Sequence, residues 1–106
     1  MKLIAVTSCP VGMAHTYMAS AALKEAAQKL GISIKVETQG MTGISNKITL
    51  ADIKEADVAI LTSDVLIEEQ ERFKGIPIYN TTTNKIIKNA KEVIQEAITL
   101  VKKEKL

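Results

Sequence analysis

The sequence predicts an α/β protein: an open four-stranded parallel sheet in the order 2-1-3-4, flanked by helices. Three observations predict it. Four short apolar runs alternate with longer segments of helical period, the pattern of parallel strands joined by right-handed crossovers. The first and third runs, residues 3–7 (LIAVT) and 57–62 (DVAILT), are apolar through their middles, as expected for strands covered on both faces. The second and fourth carry edge marks: polar alternation in residues 32–38 (ISIKVET), and Pro77, which has no N–H to give, in residues 76–79 (IPIY).

The connecting elements follow in order. After residues 3–7 the chain turns at Pro10 and Gly12. From about residue 14 to 30 the apolar positions Ala14, Met18, Ala22, Ala26 and Leu30 recur every four residues, which predicts a helix, and the many alanines let it lie close against a sheet. Gly31 is its expected C-cap. Residues 40–47, rich in Gly, Ser, Thr and Asn, read as a loop. Thr49, with Asp52 three residues on, opens a short helix through a relative of the capping box. The acidic run Glu68, Glu69 and Glu71 within residues 65–73 reads as a solvated helix face. The last helix spans residues 83–103, with Ile86, Ala90, Val93, Ala97 and Val101 on one face. Asn89, followed by Glu92, predicts a kink or restart within it.

Composition narrows the function. The 106 residues, 46% hydrophobic and 25% charged, fit one compact domain over residues 1–106. No apolar run approaches the ~20 residues a membrane helix needs, so no direct membrane insertion is expected. Lys2 and the apolar residues before Cys9 imitate a lipoprotein signal, but they fall short of an apolar region of ~7–15 residues. A cytoplasmic protein is expected. A net charge of +2, 3% aromatics and no Trp leave no footprint for nucleic acid. One Cys and one His build neither a disulfide framework, nor a redox pair, nor a closed zinc site, so no metal and no cofactor are expected.

Those two rare residues, Cys9 and His15, stand six apart in the loop beyond the central first strand, where open parallel sheets bind ligands. The loop comprises Pro10, Val11, Gly12, Met13, Ala14, His15 and Thr16, and it enters a helix N-terminus. Its backbone N–H groups converge on one concavity backed by the helix dipole, and Gly12 permits the positive φ of an anion nest. A thiol at such a place is partly ionised at neutral pH and nucleophilic. A phosphate cradle beneath a thiolate points to one reaction, the formation of a phosphocysteine by in-line phosphoryl transfer. The loop matches the tyrosine-phosphatase pattern C-x(5)-R-[ST], except that His15 stands in the Arg position, with Thr16 in the Ser/Thr position. The chain's one arginine, Arg72, lies outside the loop. A thiolate and a nest without an Arg clamp suit a carrier that hands its phosphoryl group on better than a hydrolase. Read more plainly, Cys9 is an inert buried thiol and His15 a capping or surface histidine. Read functionally, His15 donates an N–H to the phosphoryl group or to the sulfur.

The stretch VTSCPVGMAHTYMASAAL resembles the phosphate loop, Cys-Pro-Thr-Gly-x-Ala-His-Thr-x-Met-Ala, of the IIB components of the fructose family of the bacterial sugar phosphotransferase system. The resemblance continues through Val36-Glu37-Thr38-Gln39-Gly40, Ala56-Asp57-Val58 and Glu71-Arg72-Phe73. It implies that Cys9 takes a phosphoryl group from a phosphohistidine of a IIA partner. It implies further that Cys9 gives the group to a sugar, fructose or fructose-like, bound by the membrane-embedded IIC component, with the protein held peripherally at the membrane through IIC. Pro10 to Thr16 would form the phosphate loop, Thr16 adding a hydroxyl donor. Val11 departs from the family's Thr and removes a hydroxyl from the rim. A nest works through its backbone, so transfer is expected to survive.

Several residues are secondary candidates. Glu37, Gln39 and Gly40 end the second strand beside the loop, either to touch a partner or as a plain polar strand end. Asp64 follows the third strand, either to bond the loop amides or the His15 ring, or as a helix cap. Met13 and Met41, in loops, suit an adaptable docking patch, whereas Met18 reads as core. Two rival functions remain: a low-molecular-weight phosphatase or arsenate-reductase-like enzyme, which the missing loop Arg and the missing extra cysteines disfavour, and a regulatory module that senses an anion.

Overall fold

The computed structural model describes residues 1–9, 13–40 and 43–104. A central sheet has the order β3-β2-β1-β4-β5, with β1 Lys2–Ser8, β2 Ser33–Gly40, β3 Gly43–Ser45, β4 Val58–Thr62 and β5 Ile78–Thr81. Three helices, α1 Met13–Leu30, α2 Leu50–Glu55 and α3 Thr83–Glu104, and a 3-10 turn, Gln70–Phe73, connect the strands. The four parallel strands stand in the expected order, with β1 between β2 and β4.

A fifth strand is added to that expectation. Residues 43–45, within the stretch read as a loop, pair antiparallel with β2, Gly43 opposite Gly40 and Ser45 opposite Thr38. Gly43 has φ +105°, a conformation that glycine adopts without strain. The Gly, Ser and Thr content that suggested a loop therefore belongs to a tight hairpin. β2 is consequently an interior strand, and Glu37, Thr38 and Gln39 are buried rather than laid along a solvated edge.

Alternation along the central strands supplies two cores. Leu3 and Ala5 of β1 and Val58 and Ile60 of β4 face α1 and α3. Ile4, Val6, Ala59 and Leu61 face the opposite side, where Ile48, Ile67 and Phe73 cover them. The helical period of α1 is as read, but the buried stripe is displaced. Ala19, Leu23, Ala26 and Ala27 are buried, and Met18, expected in the core, is 51% exposed. Small residues carry the contact, so α1 packs closely on both the sheet and α3. Gly31, at φ +70°, ends α1: its N–H reaches the Gln28 carbonyl and the Ile32 N–H reaches that of Ala27.

The remaining junctions follow their local chemistry. Thr49 and Asp52 form a reciprocal capping box on α2. Lys35, 2.7 Å away, together with the Thr49 cap, holds the Asp52 carboxyl at about 2. Asn89 breaks helical geometry inside α3 (φ −158°, ψ 77°), and its side chain accepts from the Glu92 N–H at 3.2 Å, the restart expected there. The acidic segment departs from expectation. Of residues 65–73 only Gln70–Phe73 is helical, as a 3-10 turn entered through Glu69 at positive φ. Glu68, Glu69 and Glu71 are solvated, but the segment is shaped by what it wraps, the Arg72 side chain.

Candidate functional site

The carboxyl ends of β1, β2 and β4 meet at one edge of the sheet, and Cys9 follows β1 directly there. Ladder pairing between β1 and β4 stops at Val6 opposite Leu61. The Ser8 N–H instead donates to the Thr62 hydroxyl at 3.0 Å, which in turn lies 3.2 Å from the Ser8 carbonyl and 3.4 Å from that of Val6. Thr62 thus fixes the backbone that presents Cys9. Nothing in its sequence context distinguishes it from a strand-end threonine. On the other side of the mouth, the Thr7 hydroxyl donates to the Thr16 carbonyl at 3.3 Å and ties β1 to the first turn of α1.

Cys9 is half-buried, with its Sγ 3.8 Å from Nδ1 of His15. The first turn of α1 contains no acidic residue, so its free N–H groups and the positive end of its dipole are not neutralised from within. Thr16 is fully buried, and its hydroxyl has no partner among the described residues. A buried hydroxyl left unpaired is costly unless something bonds it. Pro10, Val11, Gly12 and Met41 lie outside the described residues, as does the Met13 side chain. Met13 itself opens α1, and Ala14 is exposed beside it.

The structure separates the secondary candidates. Asp64 accepts from the Thr83 N–H at 2.9 Å and from the Thr83 hydroxyl at 3.1 Å. It therefore caps α3, and no bond from it to the Cys9 loop or to His15 occurs among the described residues. Gly40 ends β2, exposed, opposite Gly43. Gln39 pairs in register with Ser8, next to Cys9. Its carboxamide accepts from the Glu68 N–H at 2.8 Å and donates to the Glu68 carbonyl at 3.1 Å, gripping that backbone at two points. Ser8, Gln39, Gly40, Leu66 and Glu68 line a shallow depression of about 170 Å³, with Leu66 88% exposed at its rim. A larger open groove of about 540 Å³ lies along α3, lined in part by Tyr79, Lys85 and Glu96, on the sheet's other edge strand.

Glu37 is more than a polar strand end. Its fully buried carboxylate meets Nη1 and Nη2 of Arg72, each at 2.7 Å, and also accepts from the Ile48 N–H and from Gln39, again at 2.7 Å. Burial pushes the Glu37 carboxyl up, but these bonds, led by that from Arg72, outweigh burial and hold it below its ordinary 4.5. Arg72 spends its remaining donors on the carbonyls of Ile48, Glu68 and Glu69, and its guanidinium lies 4.8 Å from the Phe73 ring centre. This network bolts β2 to the segments after β3 and after β4. The spacing of an acid and an arginine 35 residues apart gave no sign of it. The chain's one Arg is therefore unavailable to clamp an anion at Cys9. Among the described residues no group of His, Cys, Asp or Glu side chains could hold a metal ion, and no helix is long and apolar enough to cross a membrane.

Known proteins share this fold and much of this sequence. Residues 4–96 match the family described as PTS system, Lactose/Cellobiose specific IIB subunit. A PTS system fructose-like EIIB component 1 of Escherichia coli (strain K12) is 45% identical over 103 residues, covering 97% of this chain and 95% of that protein. The solution structure of an enzyme IIB subunit of the PTS system from Escherichia coli K12 superposes with a TM-score of 0.88 at 44% identity, covering 99% of this chain and 97% of that one. A domain of a fructose-specific IIABC component of the PTS system from Borrelia burgdorferi superposes with a TM-score of 0.86 at 47% identity, covering 92% and 93%. With a family match over most of its length and relatives this close across nearly all of it, the chain belongs to the IIB components of the bacterial sugar phosphotransferase system, beside the fructose-like ones.

Proposed function

We propose that Cys9 is the group this IIB component phosphorylates. Its thiolate attacks the phosphohistidine of a IIA partner, and the phosphocysteine then donates to a fructose-like sugar held by the membrane-embedded IIC component. The observation that carries the reading is the placement of Cys9: at the carboxyl end of a central strand, beside an unneutralised helix N-terminus, with His15 at 3.8 Å and no arginine to spare. The helix amides and the loop of Pro10 to Thr16 stabilise the charge on the phosphoryl oxygens during in-line transfer. Water gains little help, because the Arg clamp of the phosphatases is missing. The bonding of Arg72 to Glu37 therefore favours a carrier over a hydrolase. Residues 1–106 act as one IIB domain on the cytoplasmic side, held at the membrane through IIC, without metal, cofactor or nucleic acid.

The test is transfer from labelled phospho-IIA. One phosphoryl group per chain, on the peptide that carries Cys9, is expected, together with negligible release from an aryl phosphate. Label on His15 or on any other residue, or rapid aryl-phosphate turnover, overturns the reading.

The orphaned Thr16 hydroxyl adds a separable expectation. Thr16→Val keeps the shape and removes a buried group with no partner among the described residues, so the melting curve should move by less than about 1 kcal/mol in either direction. Binding of inorganic phosphate, followed by NMR titration, should weaken about 10- to 100-fold, the worth of one hydrogen bond to a charged group. A large loss of stability with unchanged phosphate binding would assign the hydroxyl a purely structural partner.

A further inference from the structure

The chain's only histidine and only cysteine, six residues apart in sequence, are brought side to side. His15 is the third residue of α1, half-buried, and it is Nδ1, the ring nitrogen nearer the backbone, that stands 3.8 Å from Sγ. A histidine serving only as a surface or end-of-helix residue has no reason to turn that nitrogen onto a sulfur. Imidazole is also the side chain that exchanges a proton most readily near neutral pH.

Resting on the carrier reading above, we infer that His15 is the proton partner of Cys9. In the first step the thiol proton passes from Sγ to Nδ1. The freed sulfur pair forms the S–P bond as the N–P bond of the donor phosphohistidine breaks, its electron pair remaining on the donor imidazole, whose other ring nitrogen carries a proton so that it leaves as the neutral ring. The His15 imidazolium then donates its N–H to a phosphoryl oxygen of the phosphocysteine, standing where the phosphatase pattern has its Arg. In the second step the accepting sugar oxygen forms the O–P bond as the S–P bond breaks with its pair on sulfur, and the proton returns from Nδ1 to Sγ. The proton of the accepting sugar hydroxyl leaves to a base in the acceptor's own site. Over the two steps His15 ends as it began, so one imidazole serves both directions of transfer.

The surrounding charges leave this exchange to the pair. Glu37 on β2 is closed off by Arg72, and Asp64 after β4 is bonded to Thr83. Glu68, at the rim of the depression, is exposed, with its backbone on Gln39. The first turn of α1 has no acid. Among the described residues no carboxylate or ammonium bonds Sγ or the imidazole.

The test needs no partner protein: alkylation of Cys9 by iodoacetamide, followed from about pH 5.5 to about pH 10. In the unaltered protein the reaction should already be fast below neutral pH. With His15→Gln it should slow about 10- to 100-fold there, the range of a charge-assisted hydrogen bond, and rejoin the unaltered protein near the alkaline end. Curves that coincide everywhere, or that differ by one constant factor at every pH, overturn the inference, the latter because it marks a merely structural role. A second measurement avoids substitution: the ¹⁵N signal of His15 Nδ1 should shift when Cys9 is alkylated, and an unmoved signal overturns the inference equally. The carrier reading fails separately, in the transfer assay with phospho-IIA, whatever the alkylation curves show.

Discussion

Arg72→Met is expected to cost about 3–5 kcal/mol of stability, the usual penalty for leaving one member of a buried ion pair alone. The methionine fills much of the volume, but the Glu37 carboxylate, at 0% exposure, loses two of its four hydrogen bonds and its only cationic partner among the described residues. The carbonyls of Ile48, Glu68 and Glu69 each lose a guanidinium bond as well, those of Glu68 and Glu69 keeping the Gln39 carboxamide and the residue-72 backbone N–H. At this chain length the melting temperature should fall by about 12 °C or more, at about 4 °C per kcal/mol. Removing the second charge, as Glu37→Gln with Arg72→Met, should recover part of the loss, since the worst consequence of the single change is the stranded charge. If the double variant melts no higher than Arg72→Met alone, the pair does not stabilise the protein in this way.

The same pair sets an acid limit. The folded Glu37 carboxyl lies below its ordinary 4.5, so the folded state favours the ionised form. Its contribution is complete above about pH 4.5 and is lost as the pH falls below that, through the folded value. Asp52, held at about 2 by Lys35 and Thr49, drains in the same direction at lower pH. Thermal melts in acid should therefore decline more steeply for the unaltered protein than for Arg72→Met, which has already lost the pair.

Cys9→Ser should abolish phosphoryl acceptance, slowing it by roughly 10³-fold or more, because it removes the nucleophile proposed above. A serine hydroxyl is not ionised near neutral pH, and a helix N-terminus does not draw it into ionisation. The fold should be untouched, within about 0.5 kcal/mol, since Cys9 is only half-buried and its one described side-chain contact is with His15. Inorganic phosphate should still bind, because the free N–H groups of the first turn of α1 do not depend on the side chain at position 9. Transfer of label to the Cys9→Ser protein at an undiminished rate would move the acceptor elsewhere in the chain.

The strands most readable in the sequence were those whose local pattern and tertiary setting agree. β1 and β4 are apolar because both faces are covered, and α3 shows its stripe and its break at Asn89 directly. The hairpin at Gly43 was hidden because tight antiparallel turns and loops share a composition. The displacement of the α1 stripe was hidden because alanine fits a buried or an exposed position equally well, so Ala19 and Ala27 carried no more signal than Ala14.

The sequence by itself determined the order of the four parallel strands and the placing of Cys9, His15 and Thr16 between the end of the first strand and the start of the first long helix. All of these rest on local spacing: periodicity, glycine and proline placement, and a short motif. Only the tertiary structure decided that Arg72 is bound to Glu37 and closed to any phosphate, that Asp64 caps α3, and that Thr62 steadies the backbone before Cys9. These contacts join residues 19 to 54 positions apart. Whether such a pair meets depends on how the sheet is ordered and how the segments between strands fold back over it. A charge or a hydroxyl looks the same in sequence whether it faces solvent or a buried partner, and burial alone gives it its strength.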